Sequence, residues 1–242
     1  MKIDRRTFAV ALAGFCTFLD LYAPQSLLPL FTQVFQASEG EVSLMISATT
    51  IAVAIAAPLV GLFADTLGRK RVITAAILVL AVPTLLAATA SGLPELIGWR
   101  FAQGLAMPGI FAVTIAYITE EWAGLGVGSV MATYVTGNVI GGFSGRFLAG
   151  VVAAHWGWRW VFVMLGCLNF LGGLAVWAWL PASRRFVRQK NVLASLRAMS
   201  AHLRNPRLIA AYTAGFNVLF AIVAVFTYVN FYLAAPPLAW EQ

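Results

Sequence analysis

Seven stretches of this chain are each long and apolar enough to cross a bilayer as a helix, and that fact limits the fold more than any other. A helix rises about 1.5 Å per residue, so roughly 20 apolar residues cover about 30 Å of hydrocarbon. The first span reads from about Thr7 to Phe35, and Pro24 and Pro29 inside it predict a kink or tilt. The others run from about Val42 to Ala64, Val72 to Thr89, Leu93 to Ile118, Val127 to Ala154, Trp158 to Leu180 and Leu208 to Leu233. Charged residues make up only 10% of the chain, against about 25% in an ordinary soluble domain. So few charges cannot cover a water-facing surface. The fold class is therefore all-α membrane, since lipid forces each backbone segment to satisfy its own hydrogen bonds. The start, Met1-Lys2-Ile3-Asp4-Arg5-Arg6, resembles a signal peptide, but no small-residue cleavage site follows. An uncleaved first helix is the expectation.

The charge pattern orients the spans. The net charge of +7 does not form one basic face with interleaved aromatics, so nucleic acid is not an expected partner. Lys2, Arg5, Arg6, Arg69, Lys70, Arg71, Arg184, Arg185, Arg188, Lys190, Arg197, Arg204 and Arg207 all fall on one side when the N-terminus is inside. The opposite side holds Arg159 and the acids Glu39, Glu41, Glu95 and Glu241. The positive-inside rule then puts the N-terminus in the cytoplasm. The basic segment 182–206 is the longest loop. Within it Val192, Leu196, Met199 and Leu203 recur at helical spacing, which fits an amphipathic helix on the inner leaflet, with a flexible basic linker as the alternative.

A faint internal repeat divides the chain. The second span ends at Gly61, with Gly68-Arg69 seven residues on, and the fifth ends at Gly150, with Gly157-Trp158-Arg159 at the same offset. Two three-helix units of opposite sense are a transporter architecture. Three parts are expected: a six-helix unit at 1–181, the cytoplasmic loop at 182–206, and a seventh helix at 207–242 that opens a second half.

Polar residues inside the spans carry the functional signal. Asp20 is the one acid deep in a span, and burial favours the neutral form of a carboxylate, which suits a proton carrier. A fixed structural ion pair is the alternative use. Gln25 follows on the same helix as a candidate pore-lining group, and Pro24 between them opens the local backbone. In the fourth span Arg100, Gln103, Gly104 and Met107 share one helical face. An intramembrane arginine costs at least a few kcal/mol (about 2.5–3.5 by insertion scales), so it should face the protein, with snorkelling from near the outer end of the span to the headgroups as the alternative. In the fifth span Gly137, Gly141, Gly145 and Ala149 step by four beside a row of Asn138, Gly142, Arg146 and Gly150, and small rows permit close helix packing. Arg146 is a second intramembrane cation, with contact to an anionic or polar substrate as one use. Trp156, Trp158 and Trp160 read as an interfacial anchor. Between the second and third spans, Gly61 is expected to let two helices approach closely and Gly68 to permit a tight turn, with Asp65 among Arg69, Lys70 and Arg71. The sequence contains no nucleophile–base pattern, no phosphate loop and no metal-ligand spacing, so neither an enzyme, a cofactor nor a metal is expected.

The loop Gly61-Leu62-Phe63-Ala64-Asp65-Thr66-Leu67-Gly68-Arg69-Lys70-Arg71 resembles the 2–3 loop motif of the major facilitator superfamily, roughly G-x-L-A-D-R-x-G-R-K. Gly61, Ala64, Asp65, Gly68, Arg69 and Lys70 match it, while Phe63 and Thr66 depart. Arg100-Phe101-Ala102-Gln103-Gly104 resembles the family's R-x-x-Q-G pattern in the fourth helix, and Gly137, Gly141 and Gly145 its antiporter pattern in the fifth, where Gly142 and Arg146 replace a proline and a glycine. The resemblance implies a six-helix N-terminal half with a 3+3 inverted repeat plus the first helix of a C-terminal half. It implies that Asp65 and Arg69 latch one state of the transporter, Arg69 reaching Glu120 or Glu121, and that Arg100 takes part in proton coupling. The implied activity is proton-coupled efflux of a small solute by alternating access, in a bacterial inner membrane, with protons and lipid as the other partners. A missing C-terminal half is expected to be needed for function. The competing expectation is an incomplete fragment or a polytopic membrane protein that transports nothing.

Overall fold

The computed structural model describes residues 4–123, 126–183 and 204–234, and these are helical apart from their turns. Asp4 caps α1 (Arg5–Tyr22) by accepting from the Arg6 amide. A single 3-10 segment, Ala23–Leu27, joins it to α2 (Leu28–Phe35), so the first span is broken where Pro24 and Pro29 fall. α3 (Glu39–Leu67) opens with a capping box between Ser38 and Glu41 and runs 29 residues. α4 (Arg69–Ala87) follows after one glycine. The fourth span is also two helices, α5 (Leu93–Ala106) and α6 (Pro108–Glu121), parted at Met107 by a proline that lacks an amide proton. α7 (Val127–Trp156), α8 (Trp158–Trp179) and α9 (Pro206–Ala234) complete the described chain.

The repeat is built into this list. Each unit has a broken first span, a second helix of 29 or 30 residues, a one-glycine turn and a third helix. The turns are alike: Gly68 has φ +93° and Gly157 φ +89°, and each amide donates to the carbonyl four residues back, Ala64 and Ala153. The packing obeys the same symmetry. The first span lies along α7 as the fourth lies along α3, and α4 packs on α8.

Six of the expected seven spans are apolar enough to cross a membrane by length and composition among the described residues. The exception is α7, whose glycines and Ser129, Thr133, Thr136, Asn138, Ser144 and Arg146 dilute its hydropathy. At 30 residues it is as long as the others and is packed in the same bundle. The expected amphipathic helix in 182–206 falls almost wholly outside the described residues. The tryptophan anchor divides: Trp156 and Trp160 are exposed, but Trp158 is buried among Phe31, Phe35 and Phe162.

Two apolar clusters form the core. One gathers Ala13, Cys16, Ile77, Leu80 and Met107 toward the end bearing Arg69. The other gathers Leu19, Ala87, Leu96 and Phe162 toward the opposite end. Buried polar residues interleave with these clusters: Asp20 follows Leu19, Thr84 lies between Leu80 and Ala87, and Arg100 and Gln103 lie between Leu96 and Met107.

Candidate functional site

The polar layer at the middle of the bundle begins with a backbone defect. In an unbroken helix the carbonyl of Asp20 would accept from residue 24, but Pro24 has no amide proton. Arg100 fills the gap. Its Nη1 donates to the Asp20 carbonyl at 3.2 Å and its Nη2 to the Leu21 carbonyl at 3.1 Å. The guanidinium therefore caps the end of α1, where helix geometry leaves partial negative charge. Nη1 also donates to the Gln103 side-chain oxygen. Gln103 Nε2 in turn donates to Thr84 Oγ1 at 3.1 Å, and Thr84 Oγ1 lies 3.0 Å from Asp20 Oδ2. Asp20, Thr84, Arg100 and Gln103 are all fully buried. Thr49 on α3 ties the layer to a further helix by donating to the Arg100 carbonyl at 3.1 Å.

Asp20 Oδ1 and Arg100 Nε are left without any hydrogen-bond partner. Arg100 thus holds the main chain of Asp20 and leaves the carboxylate one open oxygen. A carboxylate with a spare oxygen, beside a fixed cation and a hydroxyl, can take up and release a proton without the site losing its other bonds.

Gln25, also fully buried, belongs to a second cluster. Its Oε1 accepts from Arg146 Nε at 2.9 Å and its Nε2 donates to Thr227 Oγ1 at 3.2 Å. Arg146 Nη1 donates to the Gly142 carbonyl at 3.1 Å, and the guanidinium lies between the rings of Tyr22 and Phe226, 4.5 and 4.4 Å from their centroids. Asn230 adds a bond to the Gln25 carbonyl. These contacts lie on the C-terminal half of α9, where Thr227 is buried, while residues 209–222 are exposed throughout.

The loop motif forms at the basic end. Arg69 pairs with Asp65 at 2.7 Å and with Glu120 at 2.8 Å, so the acid it meets on the fourth span includes Glu120. Glu121 is held by Arg6 at 2.8 Å and accepts from Ser183 Oγ at 2.6 Å, while Arg6 also lies 3.9 Å over the Trp122 ring. Lys70 lines a cleft of about 640 Å³ with Gly68, Arg71 and Ser183. Gly68 makes the tight turn expected of it. Among the described residues Gly61 makes no close approach, since a Cβ there would meet nothing within 4 Å. The close approach is instead made in the fifth span. A Cβ on Gly137, Gly141 or Gly145 would strike the backbone of Ala11, Phe15 or Leu19 in turn.

Sequence reasoning named Asp20, Arg100, Gln103, Gln25 and Arg146 but missed Thr84, Thr49, Thr227, Tyr22 and Phe226. Threonines and aromatics inside apolar runs carry no distinguishing signal until their partners are known. Among the described residues no group of histidine, cysteine or acidic side chains is placed to hold a metal.

A sequence profile of the Major Facilitator Superfamily matches residues 10–240. The inner membrane transport protein YnfM of Escherichia coli is 32% identical over 237 residues, covering 96% of this chain and 56% of that protein. An uncharacterized transporter of Buchnera aphidicola subsp. Schizaphis graminum is 30% identical over 98% of this chain and 57% of its own length. The chain thus spans little more than half of these relatives. Among solved structures, a bacterial homolog of the human lysosomal transporter Spinster, inward-facing and unoccupied, aligns over 97% of this chain and 56% of that one, with a TM-score of 0.77 at 15% identity.

Proposed function

The chain belongs to the Major Facilitator Superfamily, and from that premise we propose that it forms the N-terminal half and first C-terminal helix of a proton-coupled exporter of a small solute in a bacterial inner membrane. The observation that carries the proton-coupled part is Asp20: fully buried in mid-bundle, with one carboxylate oxygen unpartnered and Arg100 fixed alongside. Asp20 is the proton carrier in this reading. Arg100 and Gln103 set its surroundings, and Gln25 and Arg146 face the solute. Asp65, Arg69, Lys70 and Glu120 form the latch that biases one state of the alternating-access cycle, with Gly61 and Gly68 framing the loop and Glu121 held beside it. The N-terminus is cytoplasmic, as the positive-inside rule requires. A proton shifts such a cycle only because its affinity differs between the two states.

The test is solute flux in sealed vesicles, with and without a proton gradient. The wild-type protein should couple flux to the gradient, and Asp20→Asn should lose that coupling while still inserting. Undiminished proton dependence in Asp20→Asn would remove the carrier role. Absence of flux from vesicles holding the complete protein would remove the transport reading.

A further inference from the structure

Among the described residues Arg146 is a cation with no carboxylate to answer it. The described ion pairs join Arg6 to Glu121 and Arg69 to Asp65 and Glu120, and none includes Arg146. Its guanidinium lies against the Tyr22 and Phe226 rings, its Nε is used by Gln25, and one Nη1 proton goes to the Gly142 carbonyl. What remains is the end-on edge, one proton each of Nη1 and Nη2, with the second Nη2 proton on the side shared with Nε. That edge matches the two oxygens of a carboxylate. An unanswered guanidinium in a membrane bundle is costly, and an anionic ligand relieves the cost.

The surroundings favour an anion with an apolar body. Gln25 links Arg146 to Thr227, and Thr227, though not Arg146 itself, stands in the wall of a neighbouring cleft of about 620 Å³ between α3 and α9. Ile46, Phe220 and Val223 line that cleft together with the hydroxyls of Ser43, Ser47 and Thr50. A volume in the range of about 300–1,000 Å³ suits a small organic molecule.

We propose that Arg146 is the carboxylate-binding residue of a site for small organic monocarboxylates, held in place by Gln25 and flanked by Tyr22 and Phe226. This deepens the transport reading and rests on it, but it is tested by binding. Radiolabelled benzoate is titrated against the chain in lipid nanodiscs, with benzyl alcohol and chloride as competitors. Benzoate should bind saturably, with neither competitor displacing it at equal concentration. Arg146→Gln should weaken binding roughly tenfold or more, and Arg146→Lys, which keeps the charge but not the fork, should fall between. Displacement by benzyl alcohol would mean that the carboxylate is not read, and displacement by chloride that the site takes any anion. Either result overturns the proposal without depending on a variant, as does unchanged binding in a helical, monodisperse Arg146→Gln protein. A protein that carries a neutral solute in vesicles yet fails to bind benzoate keeps the transport reading and loses this one.

Discussion

Arg100 holds the main-chain carbonyl of Asp20, at 3.2 Å, and leaves the Asp20 side chain with an unpartnered oxygen. The arginine therefore has two separable effects. Its hydrogen bonds repair the break that Pro24 makes in the first span, and its charge acts on a carboxylate to which it is not bonded.

The repair predicts a stability cost independent of transport. In Arg100→Met the carbonyls of Asp20 and Leu21 lose their donors, and each buried acceptor left unsatisfied costs about 1–3 kcal/mol, partly offset by removing a buried charge. Thermal unfolding in detergent should show a lower midpoint than wild type. Arg100→Lys should recover only part of it, because one ammonium cannot reproduce the planar fork that spans both carbonyls and Gln103. A wild-type midpoint in Arg100→Met would show that the carbonyls find other donors.

Glycines that look alike in sequence should behave differently. Gly141→Val must push α7 away from the Phe15 backbone, and overpacking of this kind costs about 1–3 kcal/mol. Gly61→Ala meets open space and adds helix propensity, worth about 1 kcal/mol in favour of the variant. Side-by-side melting of the two proteins checks the contrast, and equal loss in both would contradict the packing described.

The Arg69 cluster should show energetic coupling. A double-mutant cycle on Arg69→Gln and Glu120→Gln should return a coupling toward the upper end of the range of about 0.2–1 kcal/mol typical of exposed pairs, since Arg69 is largely sheltered. Asp65→Asn should impair transport by the complete protein while membrane insertion is kept. Normal transport in that variant would dismiss the latch.

The sequence revealed much of this design, but unevenly. Prolines 24 and 29 marked the broken first span because a missing amide proton acts locally, whatever surrounds it. Arg100 and Asp20 stood out because a charge in a membrane is exceptional on its own. Thr84 did not, although it bridges Asp20 and Gln103, because a hydroxyl that can bond its own helix is at home in any apolar run. Gly61, beside which no described residue comes within 4 Å of a Cβ, makes a related point. A glycine in a matching motif does not say whether a neighbouring helix lies beside it. Gly137, Gly141 and Gly145 were legible because their four-residue step defines a continuous stripe, and a stripe needs something to pack against.

The repeat makes the last prediction. Gly68 and Gly157 occupy equivalent turns at φ +93° and +89°, with ψ of 140° and 160°. That region is nearly closed to residues with a Cβ and costs about 1–3 kcal/mol to hold. A Cβ at either position meets nothing within 4 Å, so the penalty is purely conformational and no steric clash distinguishes the sites. Gly68→Ala and Gly157→Ala should therefore destabilise the bundle by similar amounts, although the first turn leads into a cluster of three cations and the second into two tryptophans and one arginine. Because the turns lie far apart in sequence and share no contact, the double variant should lose close to the sum of the two. Melting curves of the three proteins decide it. A marked inequality between the single variants would mean that the flanking charges, and not the shared backbone geometry, set the cost of each turn.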